Sequence, residues 1–166
     1  MNPKALVVDD EKIFRDLLEA IVRNFGFDVT TAGDGSLAAK ALKLEDFDLV
    51  ITDLEMGNTN GFEVIQLAKS INSNSIILVA TGCLDESCRR QAIALGASDY
   101  LLKPFSLADL ENRLSIQFKD LQKRPNSHWR NKSQFKCQKV LHYVKQPVCR
   151  QEYLELIAEQ KCDRII

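Results

Sequence analysis

Short apolar runs alternate with helical patterns through the first three quarters of this chain. Ala5-Leu6-Val7-Val8 predicts a strand. Glu11 to Phe25 predicts a helix, because Ile13, Phe14, Leu17, Leu18, Ile21, Val22 and Phe25 recur at the helical period. Gly26 ends it as a C-terminal cap. Asp28-Val29-Thr30-Thr31 reads as a half-exposed edge strand, Ser36 to Leu44 as an alanine-rich helix, and Leu49-Val50-Ile51-Thr52 as a buried strand. A loop from Glu55 to Gly61 leads into a helix from Phe62 to Ser70. Ile76 to Ala80 is a strand, Glu86 to Leu95 a helix closed by Gly96, and Asp99 to Leu102 a strand. The last helix of this series runs from Ser106 to Arg124. Ser106 and Asp109 cap it, and Leu107, Leu110, Leu114, Phe118 and Leu121 form its buried stripe. Five βα units with continuously apolar strands predict an α/β fold, a doubly wound parallel sheet with helices on both faces.

From Pro125 the rhythm breaks. Pro125-Asn126-Ser127 reads as a turn, followed by possible helices from Gln134 to Lys145 and from Pro147 to Lys161. The apolar residues there are too few for an independent core, so this helical extension is expected to pack on the first domain or on a second subunit. Charge marks the same boundary. The net charge is −1, but residues 1–118 carry 18 acids and 11 bases, whereas residues 119–166 carry 5 acids and 11 bases. The predicted organisation is one domain over residues 1–124 and a basic helical extension over 125–166. No apolar run approaches membrane-spanning length, which leaves the cytoplasm as the default location. Five cysteines (Cys83, Cys88, Cys137, Cys149, Cys162) are then most simply free thiols. Core packing is the commoner fate of a thiol placed like Cys83, although oxidation is open to it.

The strand ends carry the chemistry. Asp9 and Asp10 end the first run, Asp53 the third, Thr81 the fourth, and Lys103-Pro104 the fifth. In an open parallel sheet those ends converge on one crevice. Adjacent carboxylates are costly unless a cation neutralises them, and Mg²⁺ favours such oxygen ligands beside phosphate. Asp53 is placed to act as a nucleophile toward a phosphoryl group, Lys103 to neutralise its charge, and Thr81 to bond one of its oxygens. Taken singly, each residue has an ordinary alternative as a helix cap or a solvated side chain. Their occurrence at four separate strand ends favours a site.

In Val7-Val8-Asp9-Asp10-Glu11, Ile51-Thr52-Asp53-Leu54-Glu55-Met56, Ala80-Thr81-Gly82 and Lys103-Pro104-Phe105, the chain resembles the receiver domain of two-component response regulators, from Lys4 to about Arg124. The resemblance implies a flavodoxin-like sheet of order 2-1-3-4-5. It implies that Asp53 is the phospho-acceptor, that Asp10 and Asp53 bind Mg²⁺ directly, Asp9 through water and Glu55 through its backbone carbonyl. Lys103 would contact the phosphoryl group across a cis peptide to Pro104, and Thr81 with Tyr100 would form the conformational switch. The implied phosphoryl donor is a histidine kinase or histidine phosphotransfer protein, docking on the first helix, where Ile13, Phe14 and Leu17 are the candidate contacts and core packing is an equal alternative for all three. Such a protein is a binding switch with self-catalysed phosphotransfer and not a turnover enzyme. Its output would be a downstream protein contact, possible homodimerisation included.

Two positions depart from the family pattern. Gly57 stands where a proline is usual, and Asn60-Gly61 replaces an Asp-Gly pair. In the tail, nine bases against one acid between Lys119 and Arg150 suggest nucleic acid, so a DNA-binding transcription regulator is the alternative reading. Against it, the tail is short and contains no glycine, which helix-turn-helix turns often use. Cys137, His142, Cys149 and Cys162 lack the close cysteine pair of most structural zinc sites. A magnesium-dependent phosphohydrolase is the third class, disfavoured because no general acid accompanies Asp53.

Overall fold

The structure, a computed structural model, describes residues 2–57 and 59–123. In chain order the elements are β1 (Lys4–Val8), α1 (Lys12–Asn24), β2 (Asp28–Ala32), α2 (Gly35–Leu44), β3 (Leu49–Thr52), β4 (Glu55–Met56), β5 (Thr59–Asn60), α3 (Gly61–Ile71), β6 (Ile76–Thr81), α4 (Glu86–Ala94), β7 (Asp99–Leu102) and α5 (Leu107–Lys123). The main sheet is parallel, in the order β2-β1-β3-β6-β7, and β2 lies at its edge as its half-exposed pattern predicts. This is the expected 2-1-3-4-5 order once the two-residue strands β4 and β5 are set apart. Those two pair with each other, antiparallel, in the segment the sequence reads as a loop. Strands so short carry no hydrophobic alternation, which explains the difference.

Alternate strand residues supply two cores. Ala5 and Val7 face Phe14, Leu18, Ile21 and Val22 of α1 and Leu110 and Leu114 of α5. Leu6 and Val8 face Ala38 and Leu42 of α2, Val64, Ile65 and Ala68 of α3, and Ala92 of α4. The central strands are buried on both faces, so every residue of β3 and β6 is apolar except the threonine that ends each, Thr52 and Thr81.

Local chemistry sets the helix starts. Asp34 Oδ1 accepts from the amide of Leu37, Asn60 Oδ1 from Phe62, and Asp85 Oδ1 from Ser87. Ser106 and Asp109 exchange bonds: Asp109 N donates to Ser106 Oγ at 3.1 Å, and Ser106 N to Asp109 Oδ2 at 3.1 Å, a reciprocal capping box. Among the described residues, only α1 starts with no side-chain cap at its own N-terminus. There the amide of Glu11 turns back to Asp9 Oδ1 at 2.9 Å and so serves the neighbouring crevice. The predicted boundary near residue 124 and the basic extension lie outside the described residues, as do Cys137, Cys149 and Cys162. Among the described residues no helix is long and apolar enough to cross a membrane.

Candidate phosphoryl and metal site

The strand order reverses between β1 and β3: from β1 the chain moves outward to β2, and from β3 it moves the other way to β6 and β7. That reversal opens a crevice beyond the strand carboxyl ends. Val8 pairs with Thr52 in register, so Asp9 and Asp53 emerge as neighbours, and Asp53 N donates to Val8 O at 3.0 Å. Thr81 pairs with Leu102 on the other side, and Lys103 N donates to Thr81 O at 2.7 Å. Register alone therefore collects residues that lie up to 94 positions apart.

Lys103 is the pivot. It is 2% exposed, and its ammonium donates to Asp9 Oδ2 and to Asp53 Oδ2, both at 2.8 Å. Glu11 Oε1 lies 3.7 Å away. The ammonium also sits 4.3 Å from the centroid of the Phe14 ring, which meets Phe105 edge-on. Burial works to lower the Lys103 pKa, but the carboxylates of Asp53 and Asp9 outweigh it and hold the pKa raised. The peptide between Lys103 and Pro104 is cis, as the resemblance implied.

Carboxylate oxygens of Asp9, Asp10 and Asp53 all lie within 4.8 Å of one another, with Asp10 on the exposed side. Three hard oxygen donors this close fit a divalent cation such as Mg²⁺. Arg15 braces the turn below them, donating to the backbone carbonyls of Asp9 and Asp10. Asp53 Oδ1 accepts from Glu55 N at 3.1 Å, which curls the loop after β3 around the carboxylate. Burial pushes Asp9 up to about 6, with Lys103 only partly opposing it.

This last shift has a consequence for stability. The folded state holds the Asp9 proton more tightly than the unfolded chain, so stability falls as pH rises between 3.8 and about 6, by on the order of 3 kcal/mol. Asp9→Asn is expected to remove that slope and to be the more stable protein at neutral pH without metal. Urea unfolding across this pH range in the presence of a chelator measures it; equal slopes in the two proteins would refute the assignment.

Thr81 is fully buried, and its hydroxyl accepts from Cys83 N at 3.3 Å. Tyr100 is half-buried and donates its hydroxyl to Cys83 O at 2.8 Å. Burial raises its pKa, reinforced by the carboxylates of Glu55 and Asp53. The two hydroxyls therefore meet the two sides of one peptide residue.

Several expectations need correction. Phe14 is fully buried and forms the floor beneath Lys103, so it offers no docking surface. Its stripe on α1, with Leu18, Ile21 and Val22, faces the sheet. Ile13, one position round, is 47% exposed, and Leu17 is partly buried against the core. Cys83 and Cys88 are not separate thiols; they are joined as a disulfide. Sequence reasoning also missed Arg15, although its place one turn into α1, just after two acids, was the available signal. Gly57 adopts φ +49°, which a proline ring fixed near −65° cannot reach, so the departure at this position matches the backbone.

The model of the response regulator receiver domain matches residues 5–115. The chain belongs to the response regulator receiver family. Among curated relatives, this receiver is 40% identical over 111 residues to a probable transcriptional regulator ycf27 of Porphyridium aerugineum, covering 67% of the chain and 46% of the relative. It is 36% identical over 114 residues to the alkaline phosphatase synthesis transcriptional regulatory protein PhoP of Bacillus subtilis, covering 69% and 48%. The chain thus spans about half the length of these relatives. Among solved structures, the chemotaxis response regulator CheY4 of Vibrio cholerae superposes with a TM-score of 0.64 at 28% identity, over 70% of this chain and 99% of that one. A Burkholderia pseudomallei response regulator, crystallised with a phosphorylated aspartic acid, a calcium ion and citrate, gives 0.62 at 27% identity, over 74% and 75%.

Proposed function

We propose that this receiver accepts a phosphoryl group on Asp53 from a histidine kinase or histidine phosphotransfer protein and signals through Thr81 and Tyr100. The observation that carries this reading is the buried Asp53 carboxylate held at 2.8 Å by the Lys103 ammonium beside two further acids. In the transfer, an Asp53 oxygen attacks phosphorus, the bond from phosphorus to the donor's histidine nitrogen breaks, and that nitrogen keeps the electron pair. Lys103 shifts its hydrogen bond from the carboxylate to a phosphoryl oxygen and stabilises the charge there. Asp10 and Asp53 side chains and the Glu55 backbone carbonyl would hold Mg²⁺ directly, with Asp9 acting through water. Mg²⁺ bound there supplies positive charge to the phosphoryl oxygens.

The Thr81 hydroxyl exchanges its Cys83 amide partner for a phosphoryl oxygen, and Tyr100 leaves the Cys83 carbonyl to turn inward. The surface around α4 and β7 changes with them and presents a different face to a downstream protein or to a second copy of the chain. Exposed Ile13, with Leu17 at its margin, is the apolar part of α1 open to the donor. The protein works in the cytoplasm as a phosphorylation-controlled binding switch.

Intact mass after treatment with acetyl phosphate tests the reading. A single labile phosphoryl group is expected on the wild type with Mg²⁺, and none on Asp53→Asn. Equal labelling of the variant would place the acceptor elsewhere. A second reading, DNA binding through the basic tail, is favoured by the names of the matched relatives, which are transcriptional regulators. A salt-dependent mobility shift with duplex DNA, lost on truncation after Arg124, supports it; no shift removes it.

A further inference from the structure

Cys83 and Cys88 bracket the segment between the proposed switch threonine and α4. Their Cα atoms are 6.7 Å apart, within the span of a disulfide. Both residues are half-buried, and the four residues between them are exposed. The bond closes a loop of only five positions in sequence, the short end of the range, where a disulfide constrains the unfolded chain least. Asp85 already caps α4 without it. A structural staple is therefore a poor account of the pair.

Cys83 holds a particular place. Its amide donates to the Thr81 hydroxyl and its carbonyl accepts from the Tyr100 hydroxyl. Any restraint on this residue acts on both groups at once. The disulfide ties it to the first turn of α4, where Cys88 is the third helical residue. Cys88 also borders the open cleft beside the loop that follows Asp53, with Glu55, Met56 and Phe62.

We propose that Cys83 and Cys88 form a reversible thiol–disulfide site that couples peroxide-class oxidants to the phosphoryl site. The Cys88 thiolate attacks one peroxide oxygen. The O–O bond breaks, leaving a sulfenic acid on Cys88 and a hydroxide that takes up a proton to form water. The Cys83 thiolate, its proton given to solvent, then attacks the Cys88 sulfur. The S–S bond forms, the S–O bond breaks, and the departing hydroxide is protonated to a second water. Two thiols are oxidised by two electrons and one peroxide is reduced to two waters. A dithiol reductant reverses the state by exchange through a mixed disulfide. In the oxidised form Cys83 is pinned, Tyr100 stays on its carbonyl and the Thr81 hydroxyl stays on its amide, which opposes phosphorylation.

The coupling rests on Asp53 being the phospho-acceptor, whereas the thiol site itself does not. The full chain is treated with hydrogen peroxide or with dithiothreitol, then alkylated and digested with trypsin, which leaves both cysteines in the peptide 70–89. Peroxide is expected to protect both from alkylation and dithiothreitol to expose both. Amide hydrogen exchange across residues 82–88 should be slower in the oxidised protein. Labelling by acetyl phosphate should be slower by at least about fivefold, the low end of ordinary coupling between sites. The double variant Cys83→Ser with Cys88→Ser should label alike under both treatments.

Two cysteines that stay open to alkylation after peroxide overturn the site. Protection with unchanged exchange, or with equal or faster labelling, overturns the coupling. Should neither redox state of the wild type take up phosphate, the phospho-acceptor reading fails, and alkylation and exchange alone decide the thiol site.

Discussion

Lys103→Met is expected to lose phosphoryl labelling by roughly a hundredfold or more, the cost of removing one preorganised charge partner from a transferring group. The side chain is nearly isosteric and its floor on Phe14 remains, so packing changes little. Electrostatics change greatly, because Asp9 and Asp53 are both buried and both lean on this one ammonium at 2.8 Å. Removing the cation of a buried pair leaves uncompensated charge and costs about 3–5 kcal/mol. In metal-free buffer the variant should therefore unfold at a lower urea concentration than the wild type. Mg²⁺ should return more stability to the variant than to the wild type, since it then meets carboxylates with no competing ammonium. Unfolding curves with and without Mg²⁺, beside acetyl phosphate labelling, measure both effects. Wild-type labelling by this variant would show that the ammonium does not serve the phosphoryl group.

Gly61→Ala is expected to cost at least about 3 kcal/mol, at the upper end of ordinary overpacking. A Cβ at Gly61 would lie 1.9 Å from the carbonyl oxygen of Asp53 and 2.7 Å from the Cα of Leu54. Both are backbone atoms of the turn that carries the proposed acceptor, so no side chain can swing away to make room. Gly61 N also donates to Leu54 O at 3.1 Å, which holds the two segments together. Relief requires the loop to move off β3, taking the Asp53 carbonyl with it, so labelling should slow along with the loss of stability. Gly82→Ala is the contrast. Its Cβ would first meet Glu55 Oε2 at 3.9 Å, an ordinary contact, and the substitution should be close to neutral. Thermal unfolding of the two variants side by side gives the comparison; similar midpoints would mean that the close approach at Gly61 is not a constraint.

Elements and reacting residues were legible in different degrees. The start of α5 was legible from the Ser106–Asp109 pair, because a cap is a local bond between residues a few positions apart, whereas the caps Asp34 and Asp85 came to light only in the structure. The edge position of β2 followed from its half-exposed residues, as the double burial of β3 and β6 did from their unbroken apolar runs. The pairing of β4 with β5 was hidden, since two-residue strands leave no period to read.

At the site, the residue types were visible as polar punctuation after each strand. Their mutual contacts were not. By itself the sequence determined five βα units, the strand ends that bear Asp9, Asp10, Asp53, Thr81 and Lys103, and the family. Local patterning decides these, through periods of two and 3.6 residues and through caps. Only the tertiary structure decided that Phe14 lies under Lys103 rather than facing a partner, that Arg15 braces the acidic turn, and that Cys83 meets Thr81, Tyr100 and Cys88 together. Those contacts depend on strand order, register and helix rotation about the sheet. These are settled by packing between residues as far apart as Asp9 and Lys103, a separation over which no pattern in the chain persists.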